Sequence, residues 1–301
     1  MRDSKTVLIV GLGDTGLRVA RMLRGRYRVV ALVRKPGRAR FARRLGIEVL
    51  RGDLGRPRSL HGIAALAASV HGLRVCHLAP PPSRGRRDVH TRNLLQALDL
   101  VPRGSCRLVY VSTSGVYGDC AGDWVDESRP CRPQSDRAVR RMDAESTLLR
   151  WGRRRGARVA ILRAPGIVSD QRLPLQRLQR GTPALAAAED VYVNHIHVED
   201  LARAMIAALR RARAGRVFNC VDDAPVRMAG YFDQVARRAG LPLPPRVSRA
   251  KAQATLPPVL YSFMRESRRL RNARMKRELG LVLRYPSVDT LLDEVFGPRS
   301  G

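Results

Sequence analysis

The residues best suited to chemistry in this chain are three glycines near its start. Residues 6–34 read TVLIVGLGDTGLRVARMLRGRYRVVALVR. The apolar run Val7 to Val10 ends in Gly11, Gly13 and Gly16, and an amphipathic segment carrying Leu17, Ala20 and Leu23 follows. A second apolar run, Val29 to Val33, completes a strand, turn, helix, strand unit. In that setting Gly11 allows the tight turn off the strand. Gly13 lets a diphosphate approach the backbone, and Gly16 lets the helix pack on the strand. The loop, with Asp14 and Thr15 inside it, would then offer unpaired N–H groups and a positive dipole end to an anion.

The residue after the second strand selects between nucleotides. A carboxylate there would accept from the ribose 2′-hydroxyl of NAD; the chain has Arg34, followed by Lys35 and Arg38. A cation at this place suits a 2′-phosphate, so NADP is the expected cofactor, with NAD the alternative. His195 and His197 flank Ile196 and would share one face of a strand. Sequence places no third ligand beside them, and no C-x-x-C or Cys/His cluster occurs, so no metal is expected.

These residues need a sheet to hold them. Helical patterns at 38–45, 58–70, 88–98 and 136–154 alternate with strand patterns at 47–50, 73–78, 107–112 and 157–162. That alternation predicts an α/β fold, a doubly wound parallel sheet of Rossmann type. Ligands in such folds sit beyond the carboxyl ends of the strands. The pattern divides the chain into a nucleotide-binding domain at 1–165 and a smaller α/β substrate-binding part at 166–301. In the second part, helices are expected at 198–211, 228–239, 274–279 and 288–296, and a strand near 217–220 returns to the main sheet.

Composition narrows the setting. A chain of 301 residues can bury a large core. It has no apolar stretch long enough to span a bilayer and no leader pattern at its start, so a cytoplasmic protein with no membrane association is expected. Five scattered cysteines point to reduced thiols. The formal net charge is +31, carried by 57 basic residues of which four are lysine. The arginines are spread over the whole chain and aromatic residues are few, which argues for compositional bias over nucleic-acid binding.

Several further segments resemble the extended short-chain dehydrogenase/reductases, in particular atypical members of the NAD-dependent epimerase/dehydratase-like family. They are GLGDTG, GDL at 52–54, LVYVSTSGVYGD at 108–119, ILRAPGIV at 161–168, NHIHVEDLARAM at 194–205, VFNCVDDAP at 217–225 and KRELGLVLRYPS at 276–287. The resemblance implies that Asp53 and Leu54 lie beside the adenine. It implies that Ala79 and Pro80 pass the cofactor, with Ser112 at the strand end. Thr113 and Ser114 would supply hydroxyls to the substrate oxygen, and Pro165, Gly166 and Ile167 would line the nicotinamide. Tyr117, in the GVYG turn, would pack or orient the substrate, a small carbonyl or sugar-type molecule; His195 would face the cleft beside that substrate, and His197 would be structural. Family members pair through helices near Asp88 and Asp136, which implies a homodimer.

One departure stands out. The family's catalytic Tyr-x-x-x-Lys pair, placed by counting back from Glu145, falls on Arg137 and Arg141. A guanidinium cannot act as a general acid, although Arg141 could still hold a ribose or phosphate. The chain is therefore expected to be an NAD(P)-dependent oxidoreductase or epimerase-like enzyme lacking that pair. The alternative is a non-catalytic NADP-binding sensor, with a nucleic-acid-binding variant behind it.

Overall fold

A computed structural model describes residues 5–297. The first half alternates strand and helix: β1 (Thr6–Val10), α1 (Asp14–Leu23), β2 (Arg28–Val33), α2 (Pro36–Arg44), β3 (Glu48–Arg51), α3 (His61–Ser69), β4 (Arg74–His77), α4 (Val89–Leu98) and β5 (Arg107–Thr113). A two-residue strand β6 (Trp124–Val125), the long α5 (Asp136–Arg155) and β7 (Arg158–Ala164) follow. The rest of the chain carries β8 (Gly166–Val168), α6 (Leu175–Gln179), β9 (Ala184–Leu185), β10 (Tyr192–Val193), β11 (His195–His197), α7 (Val198–Arg211) and β12 (Arg216–Asn219). It ends with β13 (Val226–Arg227), α8 (Met228–Arg238), β14 (Arg246–Val247), α9 (Arg249–Thr255), α10 (Pro258–Phe263), β15 (Arg269–Leu270), α11 (Ala273–Leu279) and α12 (Val288–Phe296).

Seven strands form one sheet in the order β12-β7-β5-β4-β1-β2-β3, and every pair in it is parallel. Both faces are covered, which is why the strands read as nearly unbroken apolar runs. The two-residue period sorts them. Val7, Ile9, Val109 and Val111 join α1, α2 and α7 on one face; Leu8, Val10, Leu108 and Tyr110 join α3, α4 and α5 on the other. Chain order reverses between β1 and β4, and the crevice of a doubly wound sheet opens at such a point.

A third apolar cluster is built from α8, α12 and the loops after Val168. Around it the short strands pair off in separate two-stranded ribbons: β8 with β11, β9 with β14 and β10 with β13. Apart from β11, whose His195–His197 spacing reads as a strand, these strands carry too few residues to show a period. The helix expected over 58–70 is split as well. Pro57–Leu60 forms a 3-10 turn and α3 starts at His61. Serine caps the long helix, Ser135 Oγ accepting from the Ala138 N–H, and Gly156 in the left-handed region ends it. All five cysteines are free thiols. No helix among the described residues is long and apolar enough to cross a membrane.

Candidate active site

A cavity of about 690 Å³ lies beyond the carboxyl ends of β1, β4, β5 and β7. Its floor is the glycine loop, residues 11–16. Gly11 has φ +107°, and a Cβ there would stand 2.6 Å from the Ala79 nitrogen. A Cβ on Gly16 would collide with the Gly11 carbonyl oxygen, whereas one on Gly13 would meet nothing within 4 Å. Gly11 and Gly16 are therefore demanded by the protein's own backbone. Gly13 is not, and its bare face leaves room for a ligand to reach the main chain. Gly13 is the N-cap of α1 and gives that helix no side-chain cap, so the helix start keeps N–H groups for an anion. Arg38 holds the loop by donating both Nε and Nη2 to the Leu12 carbonyl, at 2.9 and 2.8 Å. That guanidinium serves the loop and is not free for a 2′-phosphate.

Arg34, just past β2, is two-thirds exposed, and its nearest carboxylate is Asp53 at 3.8 Å. Asp53 Oδ1 accepts from the Gly55 N–H at 2.9 Å and closes its own turn. The Leu54 side chain is buried in the core and its carbonyl accepts from Asn93. Ala79 packs on Gly11 and donates its N–H to Val10. These four residues lie outside the cavity lining, and the cavity includes Pro80 but not Ala79.

The end of β5 brings Ser112, Thr113 and Ser114 to the opposite wall. Thr113 Oγ1 accepts from the Gly115 N–H at 3.2 Å, which leaves its proton for another acceptor. Ser112 Oγ is buried without a partner among the described residues. Arg141, from α5, donates to the Tyr110 hydroxyl at 2.9 Å and to the Val111 carbonyl at 2.8 Å. It lines the cavity but is anchored to β5. Pro165, Gly166 and Ile167 form the next wall, with His195 beside Gly166 in the β8–β11 pairing. The His195 ring meets Tyr231 at a tilt, with ring centroids 4.4 Å apart. Burial holds the imidazole down at about 4, and its Nδ1 has no partner.

Tyr117 lies elsewhere. It is buried below the surface, donates its hydroxyl to Asn219 Oδ1 at 2.8 Å and sits under the Arg163 guanidinium at 4.8 Å. It belongs to a small apolar cluster with Val116 and Val125, so the substrate contact expected of it has no geometric support. His197 caps α7 by accepting from the Glu199 N–H, the structural part expected of it. Among the described residues no cluster of His, Cys, Asp or Glu could hold a metal.

Sequence reasoning missed the outer walls. Tyr192, Asn194, Tyr231, Phe232 and Phe263 line the cavity, together with Arg172, Arg177 and Arg268. They come from short loops and helices after residue 168 that carry no recognisable spacing. The hydroxyl of Tyr231 has no hydrogen-bond partner among the described residues, and the side chain lines the cavity.

A parallel sheet with a glycine turn at its switch point and a cavity across its carboxyl edge defines a Rossmann-type nucleotide fold. The chain belongs to the NAD dependent epimerase/dehydratase family, whose model matches residues 7–220. A conserved protein of unknown function from Silicibacter pomeroyi is similar over 97% of this chain and 98% of its own, at 31% identity and a TM-score of 0.81. A dTDP-glucose 4,6-dehydratase from Bacillus anthracis, solved in complex with NAD, shares the fold at 17% identity and a TM-score of 0.76, over 97% of this chain and 96% of that one. GDP-6-deoxy-D-mannose reductase of Pseudomonas aeruginosa is 32% identical over 145 residues, 43% of this chain and 47% of that protein. The chain thus spans about half the length of this curated relative.

Proposed function

We propose that the protein is an NADP-dependent enzyme of the epimerase/dehydratase family that transfers hydride to or from a small carbonyl or sugar-type substrate. The open face of Gly13 at the uncapped start of α1 carries this reading, because it fits a diphosphate and answers no need of the fold. The named relatives that act on nucleotide-linked sugars, the mannose reductase and the glucose dehydratase, lend the substrate class. A bound nicotinamide supplies or accepts the hydride. The chain's own residues do the rest. The glycine loop holds the diphosphate and Arg34 stands where a 2′-phosphate would reach. Thr113 and Ser114 donate to the substrate oxygen, and Arg141 fixes the wall of β5 beside them.

The proton requires another source, since Arg137 and Arg141 replace the family's pair. Tyr231 is a phenol in the cavity lining that could fill that part: its hydroxyl makes no hydrogen bond among the described residues, and its ring lies tilted against His195, which is next to Gly166.

Calorimetric titration with NADPH and NADH tests the nucleotide. NADPH is expected to bind more tightly, and Arg34→Asp should move the preference to NADH; equal weak binding of both, or an unmoved preference, overturns the assignment. The two arginines at 137 and 141 favour one second reading, a sensor that binds the nucleotide without turnover. NADPH oxidation with carbonyl compounds separates the two.

A further inference from the structure

Five arginines line the cavity against two carboxylates, Asp14 and Glu266. Four of the five are engaged. Arg141 bonds Tyr110 and Val111, Arg172 pairs with Asp14 at 3.3 Å, and Arg177 donates to the Pro183 carbonyl. Arg268 donates to the Gly118 carbonyl and to Glu266, both at 2.7 Å. Arg137 differs. Among the described residues no carboxylate lies within ion-pair distance of it and no hydrogen bond is made by it; its guanidinium rests over the Phe263 ring at 4.6 Å.

The charges that act on Arg137 are those of Glu266, Arg141, Arg140 and Arg268. Three are cations, and Glu266 is already held by Arg268. Arg137 also occupies the first turn of α5, where the helix dipole disfavours a positive side chain. In the same lining, Arg177 Nε and Arg268 Nε are buried with no acceptor among the described residues. Arg137, exposed and surrounded mostly by cations, gains from an anion brought in from outside.

We infer that Arg137 receives a carboxylate carried by the substrate, so that the protein acts on small carbonyl compounds bearing an acid group. A guanidinium stacked on an aromatic ring keeps its edge free for the two-pronged contact a carboxylate makes. Leu260 and Phe263 supply an apolar wall for the body of such a molecule. A phosphate dianion would call for more than one unengaged cation, and Arg137 alone is unengaged. The inference rests on the proposed function in taking this cavity as the substrate site, and it names the class of substrate.

The test uses 4-carboxybenzaldehyde and its methyl ester, which differ in the negative charge and one methyl group. Binding of each is measured by calorimetry on the nucleotide-free and on the NADPH-saturated protein. The acid is expected to bind at least tenfold more tightly than the ester. Arg137→Gln should erase that ratio, Arg137→Lys should keep part of it, and both should keep the wild-type NADPH affinity. Equal binding of acid and ester, binding of neither, or a ratio that survives in Arg137→Gln overturns the inference. Failure of NADPH to bind at all sinks the proposed function instead, and the nucleotide-free measurements still decide the role of Arg137.

Discussion

At the scale of single residues, the glycine loop separates what the fold needs from what a ligand needs. A methyl group on Gly16 would run into the Gly11 carbonyl, whereas one on Gly13 would project into open space. Gly16→Ala should therefore lower the melting temperature, whereas Gly13→Ala should fold normally and lose NADPH affinity by an order of magnitude or more. Thermal melts and calorimetry on the two variants check this, and a Gly13→Ala protein that binds as well as wild type would refute the reading of that face. Tyr231 admits a similar test. General acids contribute roughly 10²–10⁴ in rate, so Tyr231→Phe should lower turnover by that order with little change in NADPH affinity. Turnover within a few-fold of wild type would remove Tyr231 from the mechanism. Of the C-terminal wall, His195, Gly166 and Ile167 were visible from sequence, whereas Tyr231 and Phe263 were not, because no recognisable spacing marks them. Thr113, Arg141 and Pro165 could be found because they lie in segments with recognisable neighbours.

At the scale of elements, α5 and β7 are joined by a buried ion pair. Arg163 donates Nη2 to Glu145 Oε2 at 2.8 Å, and both side chains are nearly sealed from water. Leaving one member of such a pair uncompensated costs about 3–5 kcal/mol. Glu145→Gln should destabilise the protein by that amount in denaturant unfolding, and a change under about 1 kcal/mol would show that the pair behaves as a surface contact. Long elements were legible in sequence for a physical reason. Strands covered on both faces are apolar throughout, and helices such as α7 carry one apolar stripe, which placed it at 198–211. The two-residue strands β9, β10, β13 and β14 have no such signal. Their positions follow from long-range packing, which a linear pattern does not encode.

At the scale of the whole molecule, two of the three buried imidazoles, His77 and His195, set an acid limit. Burial, aided by the Arg141 charge, holds His77 at about 3, and burial holds His195 at about 4, both below the ordinary 6.5. A group whose folded pKa is depressed stabilises the fold fully above its unfolded value and less as pH falls towards the folded one. Stability from these two groups is thus complete above pH 6.5 and declines from there towards pH 4. Replacing His195 by Phe should flatten the fall in melting temperature over that window, and an unchanged slope would refute its share. The order of the main sheet has a consequence of another kind. Its outermost strand, β12, is supplied by residues 216–219 and pairs with β7, after the chain has already built much of the pocket's outer wall. A recombination joint placed after Pro165 would strip β7 of its neighbour and uncover the flank that α7 shields. The first 165 residues should therefore not fold as a unit without the segment that follows them.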